Sequence, residues 1–395
     1  MKKNFFAFAV MLTGSALFTA CLNNDNDAPN SWQGLVSSGA YIVNGGEYSS
    51  LAYLDYEAGT VSQRHFEKVN GRQLGSQAND VMVYGSKMYI VVSGENTIEV
   101  VDPKTGMSIR QLNTVGLAGE KGTNPRHVSA ANGMIYVSTY GDSSHEYDEE
   151  GGMVTSGNGY VTVIDTVSFS LKNVYAVGSY PEGLYATTKN VYVANSDCGA
   201  VKNASVSIID LTAGTETQMK HSNIRNPQDV VGLTDGSYFI LDWGESDADG
   251  KQMNAGVYLA SGDNVTKRID NATMWAPVTF YNNYTGSASS YLYTVNAPKG
   301  ASTITYERYD LSNGSRMTFT TDGVFCPIAI EVDPIAGFVF IASYKENSTT
   351  HEPAYDANGY VKVYDPNSGK CIKEFDCGVR PNAFAFNTEI KTITD

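Results

Sequence analysis

The sequence predicts an all-β chain, a seven-bladed β-propeller whose ring is closed by the C-terminal strand joining the N-terminal blade. Three observations carry this expectation. A strand–turn–strand phrase recurs about seven times, a strand-closing Asp recurs in step with it, and the chain ends hold complementary fractions of one repeat.

Residues 1–20 read as a lipoprotein signal peptide. Lys2 and Lys3 give a positive start, and the apolar stretch 5–12 is too short to span a membrane. "LFTAC" sets Thr19 and Ala20 directly before Cys21, which resembles a bacterial lipobox with Phe18 where Leu is usual. Cys21 is therefore the expected lipidation site; the alternative is an ordinary secretory signal with an incidental Cys. Residues 21–36 then form the lipidated Cys and a flexible acidic tether, and 37–395 the propeller. The tether, "LNNDNDAPN" after the Cys, resembles the acidic export signal of Bacteroidetes lipoproteins. The implied location is the outer membrane, lipid-anchored and exposed on the cell surface, with the periplasm as the alternative.

Residues 39–69 supply three strands, "AYIVNGG", "LAYLDYEAG" and "VSQRHFEKV". From there the repeat takes over. Its plainest copy is "NPRHVSAANGMIYVSTYGD" at 124–142: a proline, an apolar residue three positions on, an Asn-Gly turn, and an aromatic eight residues after the apolar one. Val128 and Tyr136 hold those two slots, and Val81 with Tyr89, Leu184 with Tyr192, Val230 with Tyr238 and Ile330 with Phe338 keep the spacing. The proline slots are Ala78, Pro125, Pro181, Pro227, Pro277, Pro327 and Pro381, separated by 47, 56, 46, 50, 50 and 54 residues. Such periods suit one four-stranded blade per repeat, and proline suits the start of an edge strand because it needs no ladder donor.

Asp55, Asp102, Asp165, Asp210, Asp310 and Asp365 each close an apolar strand, and five of them have Gly four residues on. Asp bonds its own turn and Gly takes the left-handed position, so these carboxylates are expected to be structural. At the C-terminus "RPNAFAF" gives a slot with one strand after it. Three strands plus one complete a blade and remove two exposed edges.

On this scaffold the loops after the second strand of blades three, five and seven are long and unlike one another: "TYGDSSHEYDEEGGMVTSGNG", "DWGESDADGKQMNAG" and "SYKENSTTHEPAYDANG". Irregular loops on a rigid frame are where binding residues concentrate. The residues just after the proline slots share that face and lie nearer the axis. The expected ligand-binding set is Asn79, Asp80, Arg126, His127, Glu182, Gln228, Asp229, Arg380 and Asn382 near the axis, with Tyr140, Asp142, Tyr147, Trp243 and Tyr344 in the taller loops. Val278-Thr279 and Ile328-Ala329 make the remaining arc more apolar. A wet channel in which the charged residues merely pair is the plainer alternative.

Net charge is −15 and the 27 basic residues form no cluster, which disfavours nucleic acid. No catalytic residues and no metal ligands are assigned. His127, His145 and His351 fall in separate loops without metal spacing, and "DADG" at 247–250 lacks the later Glu of a calcium loop. Cys198, Cys326, Cys371 and Cys377 allow three pairings, and none is assigned. Cys371 and Cys377 in one extended strand are about 20 Å apart.

The phrases "GSQANDVMVYGSKMYIVVSGENTIEVVDPKTG" and "YVTVIDTVSFSLKNVYAVGSYPEGL" resemble YncE/YVTN-type propellers over nearly all of 37–395. With the lipobox and tether, the chain is similar to the Bacteroidetes surface lipoproteins that include BtuG-type cobalamin-binding proteins. The resemblance implies a non-enzymatic surface protein that binds a corrinoid, cobalamin (vitamin B12), as transported ligand rather than cofactor. Its partner would be a TonB-dependent outer-membrane transporter of the BtuB type. None of the site residues is taken from the resemblance. An enzyme such as a lyase or glycosidase on the same face, or a structural or adhesive surface protein, are the alternatives.

Overall fold

Strand-forming phrases separated by Asp–Gly turns produce an all-β chain. The computed structural model describes residues 31–282 and 287–394; the signal peptide, Cys21 and most of the tether lie outside the described residues. Among the described residues seven four-stranded antiparallel sheets follow one another along the sequence, an arrangement consistent with a propeller. The first contains Ser31–Asn44, Ser50–Asp55 and Val61–Ser62 together with Pro381–Thr394. The second to seventh sheets each use four consecutive major strands, opening with Ala78–Tyr84, Pro125–Ala131, Pro181–Ala186, Pro227–Gly232, Met274–Asn282 and Cys326–Val332. These opening strands touch in sequence except between the fifth and sixth sheets, and Cys326–Val332 also touches Pro381–Thr394, which in turn touches Ala78–Tyr84. The opening strands of the fifth and sixth sheets are joined instead by Trp275 Nε1 donating to Asp229 Oδ2 at 2.7 Å.

The eight-residue spacing has a packing cause. Val128 lies opposite Val137 and Ser129 opposite Tyr136, so the apolar residue and the aromatic point to opposite faces of their sheet. Each aromatic then meets the apolar residue of the next repeat: Tyr89 clusters with Val128, Tyr136 with Leu184, and Tyr192 with Val230, all buried. The fifth sheet departs from this. Its hairpin is longer, Gly232 faces Tyr238, and Tyr238 shares a face with Val230. Phe239 takes over the contact with the sixth sheet, beside Trp275 and Leu292.

Two expectations about the N-terminus are corrected. The tether does not extend to 36, because Ser31–Asn44 is one strand whose partners run from Thr394 opposite Ser31 to Pro381 opposite Asn44. A distant segment specifies this strand, so its local sequence resembled a linker. "VSQRHFEKV" is a strand only at Val61–Ser62 and then becomes the helix His65–Asn70. The helix puts Phe66 into the core with Tyr41, Leu51, Leu74 and Met88, and Gly71 ends it in the left-handed region at φ 67°. The proline slots open their strands except in the sixth and seventh sheets, where Pro277 and Pro327 lie within Met274–Asn282 and Cys326–Val332. Both are edge strands, where a missing N–H is tolerated.

The six turn carboxylates are structural, as their spacing implies. Asp102 Oδ1 accepts from Lys104 N at 2.8 Å, Asp210 Oδ1 from Thr212 N and Ala213 N at 2.8 Å, and Asp365 Oδ1 from Ser368 N at 2.7 Å. A seventh turn of this kind, "DPIAG", belongs to Asp333, which is fully buried. Its carboxylate accepts from Ser37 Oγ at 2.6 Å and from Tyr56 Oη at 2.9 Å, tying the seventh sheet to the first. Burial pushes the Asp333 carboxyl up against these donors.

Removing residues 381–395 deletes the edge strand paired with Ser31–Asn44 and bares an edge with the buried Ile42 and Val43. The expected result is loss of a cooperative thermal transition and aggregation, read by calorimetry and light scattering. A truncated chain melting like the full one overturns it.

Candidate functional site

Irregularities in the opening strands aim the site's side chains. Ladder register breaks just after the proline slot between Ala78 and Asp80, Pro125 and Val128, Pro181 and Leu184, Pro227 and Asp229, and Pro327 and Ala329. Pro381–Thr394 slips likewise between Pro381 and Ala383, whereas Met274–Asn282 pairs without a break. A bulge leaves a residue outside the alternation and turns its side chain out of the sheet. Asn79, Arg126-His127, Glu182-Gly183, Gln228, Ile328 and Asn382 are the residues so released. Gly183 also makes room: a Cβ there would lie 2.1 Å from Asp229 Oδ1.

The largest group brought together centres on Arg126. Its Nε donates to Glu182 Oε2 at 3.0 Å, and its guanidinium lies 4.9 Å from the Tyr140 ring centroid. Tyr140 Oη donates to the other Glu182 oxygen. The Asn79 amide, oriented to satisfy its neighbours, accepts from Arg126 Nη1 at 2.6 Å and donates to the Gln77 carbonyl at 3.1 Å. His127 sits between two carboxylates, with Nδ1 3.3 Å from Asp80 Oδ2 and Nε2 3.8 Å from Glu182 Oε2. Burial disfavours charge on His127, but its bond to Asp80 and the charges of Asp80 and Glu182 outweigh that and raise its pKa above the usual imidazole value. Burial, aided by the Glu182 carboxylate, pushes the Tyr140 hydroxyl well up, so it stays a donor. Asp229 is also raised by burial, against the opposing pull of its Trp275 bond and of His127.

Other predicted residues stand apart from this group. Gln228 Nε2 donates to Asn226 Oδ1 at 2.6 Å, a local tie, whereas Asn382 Nδ2 donates to the Ala78 carbonyl at 2.9 Å and so links the first sheet to the second. Asp142 is exposed and accepts from Tyr160 Oη. Arg380 is exposed and left-handed at φ 55°. The long loops are partly ordered: Ser144–Tyr147 pairs with Met153–Ser156, and Glu245–Ser246 with Gln252–Met253. On them Tyr147 is 66% exposed and packs edge-on to His145, while Trp243 is 42% exposed with Nε1 donating to the Thr273 carbonyl at 2.7 Å. Tyr344 stacks edge-on with Tyr355, ring centroids 4.9 Å apart. The three histidines stay separate: His145 Nδ1 meets Tyr180 Oη at 2.8 Å and His351 Nδ1 meets Glu346 Oε1 at 2.6 Å. The "DADG" segment is a turn in which Asp247 Oδ1 accepts from Lys251 N at 2.8 Å. Cys198, Cys326, Cys371 and Cys377 are free.

Two contributors escaped the sequence reading. Tyr180, beside the third-sheet loop, packs edge-on to Tyr140 at 4.9 Å and links it to His145. Glu331 lines a cavity of about 490 Å³ walled by Val81, Val278, Val332, Phe384 and Phe386. Burial, reinforced by Asp80 and Asp229, pushes its carboxyl up to about 8. It lies four residues past Pro327, beyond the dipeptide that directly follows each proline slot.

Glu331 leaves a pH signature. Its folded-state value near 8 lies above the unfolded value of 4.5, so unfolding releases a proton between the two. This stabilisation is complete below the unfolded value and is lost as pH rises through 8, at up to about 1.4 kcal/mol per pH unit. Glu331→Gln is expected to flatten the decline in stability from pH 5 to 8 in denaturant titrations. An unchanged slope contradicts this environment for Glu331.

No curated protein matches the sequence. Hydrazine synthase of Kuenenia stuttgartiensis superposes with a TM-score of 0.52 at 12% identity, over 80% of this chain and 95% of that one. A Lactobacillus plantarum protein superposes with a TM-score of 0.51 at 14% identity, over 89% of this chain and 100% of its own. At such identities the likeness concerns the fold, which is propeller-like in both. The family model described as a domain of unknown function, DUF5074, matches residues 38–380, from within the first strand to the residue before the last proline slot. The chain belongs to the DUF5074 family, and its sheets give that family a propeller-like fold.

Proposed function

We propose that the seven sheets form a closed seven-bladed propeller and that the protein is a ligand-capture lipoprotein of the cell surface. It binds a corrinoid, with cobalamin as the specific candidate, and passes it unchanged to a TonB-dependent transporter. The carrying observation is the Arg126–Glu182–Tyr140 group, a half-buried polar and aromatic floor already held in place by mutual bonds. Above it the third-, fifth- and seventh-sheet loops carry the exposed rings of Tyr147, Trp243 and Tyr355. A corrinoid is broad, flat, fringed by amides and nearly neutral. Exposed rings bury its apolar faces, and a floor with paired donors and acceptors meets the amides. The lipobox at Cys21 and the acidic segment after it support surface display.

Spectral titration with cobalamin tests the ligand. Tyr147→Ala and Trp243→Ala are each expected to weaken binding, by roughly 2 kcal/mol if the ring is a hot spot. Arg126→Gln is expected to cost about 1–3 kcal/mol, because Glu182 and Asn79 lose a buried partner. Asp102→Ala, in a turn at the other end of the strands, should leave affinity unchanged. No binding at micromolar cobalamin rules out this ligand, and weakening by Asp102→Ala alone rules out this face.

Fractionation tests the anchor. Cys21→Ala is expected to move the protein out of the membrane fraction, and protease added to intact cells should digest the wild type. A Cys21→Ala protein that stays with the membrane refutes lipidation there.

A further inference from the structure

The sixth and seventh sheets enclose a second cavity at the far end of their opening strands from the Arg126 site. Its volume is about 320 Å³, and Phe280, Tyr291, Tyr293 and Arg308 line it opposite the turns at 335–338 and 365–367. Cross-strand register explains the grouping. Tyr293 lies opposite Arg308, Arg308 opposite Met317, and alternation keeps Phe280 and Tyr291 on the same face of the sheet. The mouth is kept open by Gly337, left-handed at φ 78°, where a Cβ would lie 3.3 Å from Pro366 Cγ and 3.8 Å from Phe280 Cε1.

Arg308 is the unusual feature of this cavity. Its guanidinium stands 5.0 Å from the Tyr291 ring centroid, and Nη2 lies 3.0 Å from Met317 Sδ, a weak acceptor. Its nearest acidic neighbour in sequence, Glu307, pairs with Arg316 at 2.6 Å instead. Asp365 at the rim is occupied by its own turn, accepting from Ser368 N and Ser368 Oγ at 2.7 Å. Among the described residues Arg308 makes no ion pair with a carboxylate. In a chain of net charge −15, a guanidinium whose neighbours in an aromatic cavity are Tyr291, Tyr293 and Met317 rather than a carboxylate is conspicuous. Such a fork matches a carboxylate, and the rings around it match a flat apolar body.

We propose that this cavity binds a small planar aromatic carboxylate, its ring against Tyr291 and Phe280 and its carboxylate on Arg308. The assignment does not rest on the corrinoid reading, since no residue is shared with the Arg126 group.

Calorimetric titration with 2-naphthoate, and with 2-naphthalenemethanol as its uncharged counterpart, tests it on the full-length protein. Naphthoate is expected to saturate below millimolar concentration and to bind about tenfold tighter than the alcohol, the effect of one charge-assisted pair. Arg308→Gln should reduce naphthoate to the alcohol's affinity with an unchanged melting temperature, Arg308→Lys should keep part of the difference, and Arg126→Gln should leave it intact. No saturable naphthoate binding, equal affinity for acid and alcohol, undiminished binding by Arg308→Gln, or loss on Arg126→Gln overturns the proposal.

Discussion

The constraint on which the remaining structure depends is the pairing of Ser31–Asn44 with Pro381–Thr394. It is the least local strand pairing among the described residues, and closing so long a loop costs entropy that no nearby turn offsets. What offsets it is burial. Ile42 and Ala40 pack with Phe384, Phe386 and the seventh-sheet Phe340, whereas Tyr41 and Val43 on the alternate face pack with Ala383, Ala385 and second-sheet residues. A two-strand seam thus joins two cores. Asp333 adds a directional element, since its carboxylate accepts from the N-terminal strand through Ser37 and from the end of the next strand through Tyr56. Replacing a hydrophobic contact there would relax the seam; removing the carboxylate would delete a buried acceptor that both hydroxyls use.

With the ends fixed, the opening strands can carry irregularities that would weaken an isolated sheet. Gln77, Asn124, Tyr180 and Arg380, each just before a proline slot, are left-handed with φ between 51° and 55°. None is glycine, so each stores some backbone strain. The carbonyls of these residues accept from Ser93 N, Tyr140 N, Ser196 N and Gly45 N, locking the start of each opening strand to the end of the strand beside it. The bulge that follows then directs Asn79, Arg126-His127, Glu182 and Asn382 outward. Strain and bulge together explain how short polar dipeptides on different sheets arrive in one place.

The fold was legible where its signals are local. Proline slots and Asp–Gly turns are fixed by backbone geometry within five residues, so Asp102 or Asp365 announces its role unaided. Elements decided by distant partners were not legible. Strand 31–36 owes its form to residues 389–394, and the helix at His65–Asn70 exists because Phe66 fills a gap between the first and second sheets. A one-residue difference in hairpin length moved the fifth-sheet contact from Tyr238 to Phe239, which period counting alone did not detect. The site was legible by position but not by partnership: Arg126, Tyr140 and Glu182 meet, while Gln228 bonds beside its own strand and Asn382 ties the first sheet to the second.

Charge explains what kind of ligand the Arg126 group can tolerate. Asp80, Glu182, Asp229 and Glu331 face one arginine and one histidine near the opening-strand bulges, an imbalance that burial would make costly if all four were ionised. The structure lessens it in three ways. Asp80 accepts from Val128 N at 2.9 Å and from Val81 N at 2.8 Å, Asp229 accepts from Trp275 and Val230 N, and Glu331 holds a proton up to about pH 8. Asp80 and Glu182 in turn favour the charged form of His127. The result is a floor rich in hydrogen-bonding groups whose charges are largely answered from within. A strongly anionic ligand would meet Glu182 and Asp80, and a strongly cationic one would compete with Arg126 and His127. A polar but nearly neutral ligand would disturb none of these pairs, which supports the ligand class proposed above.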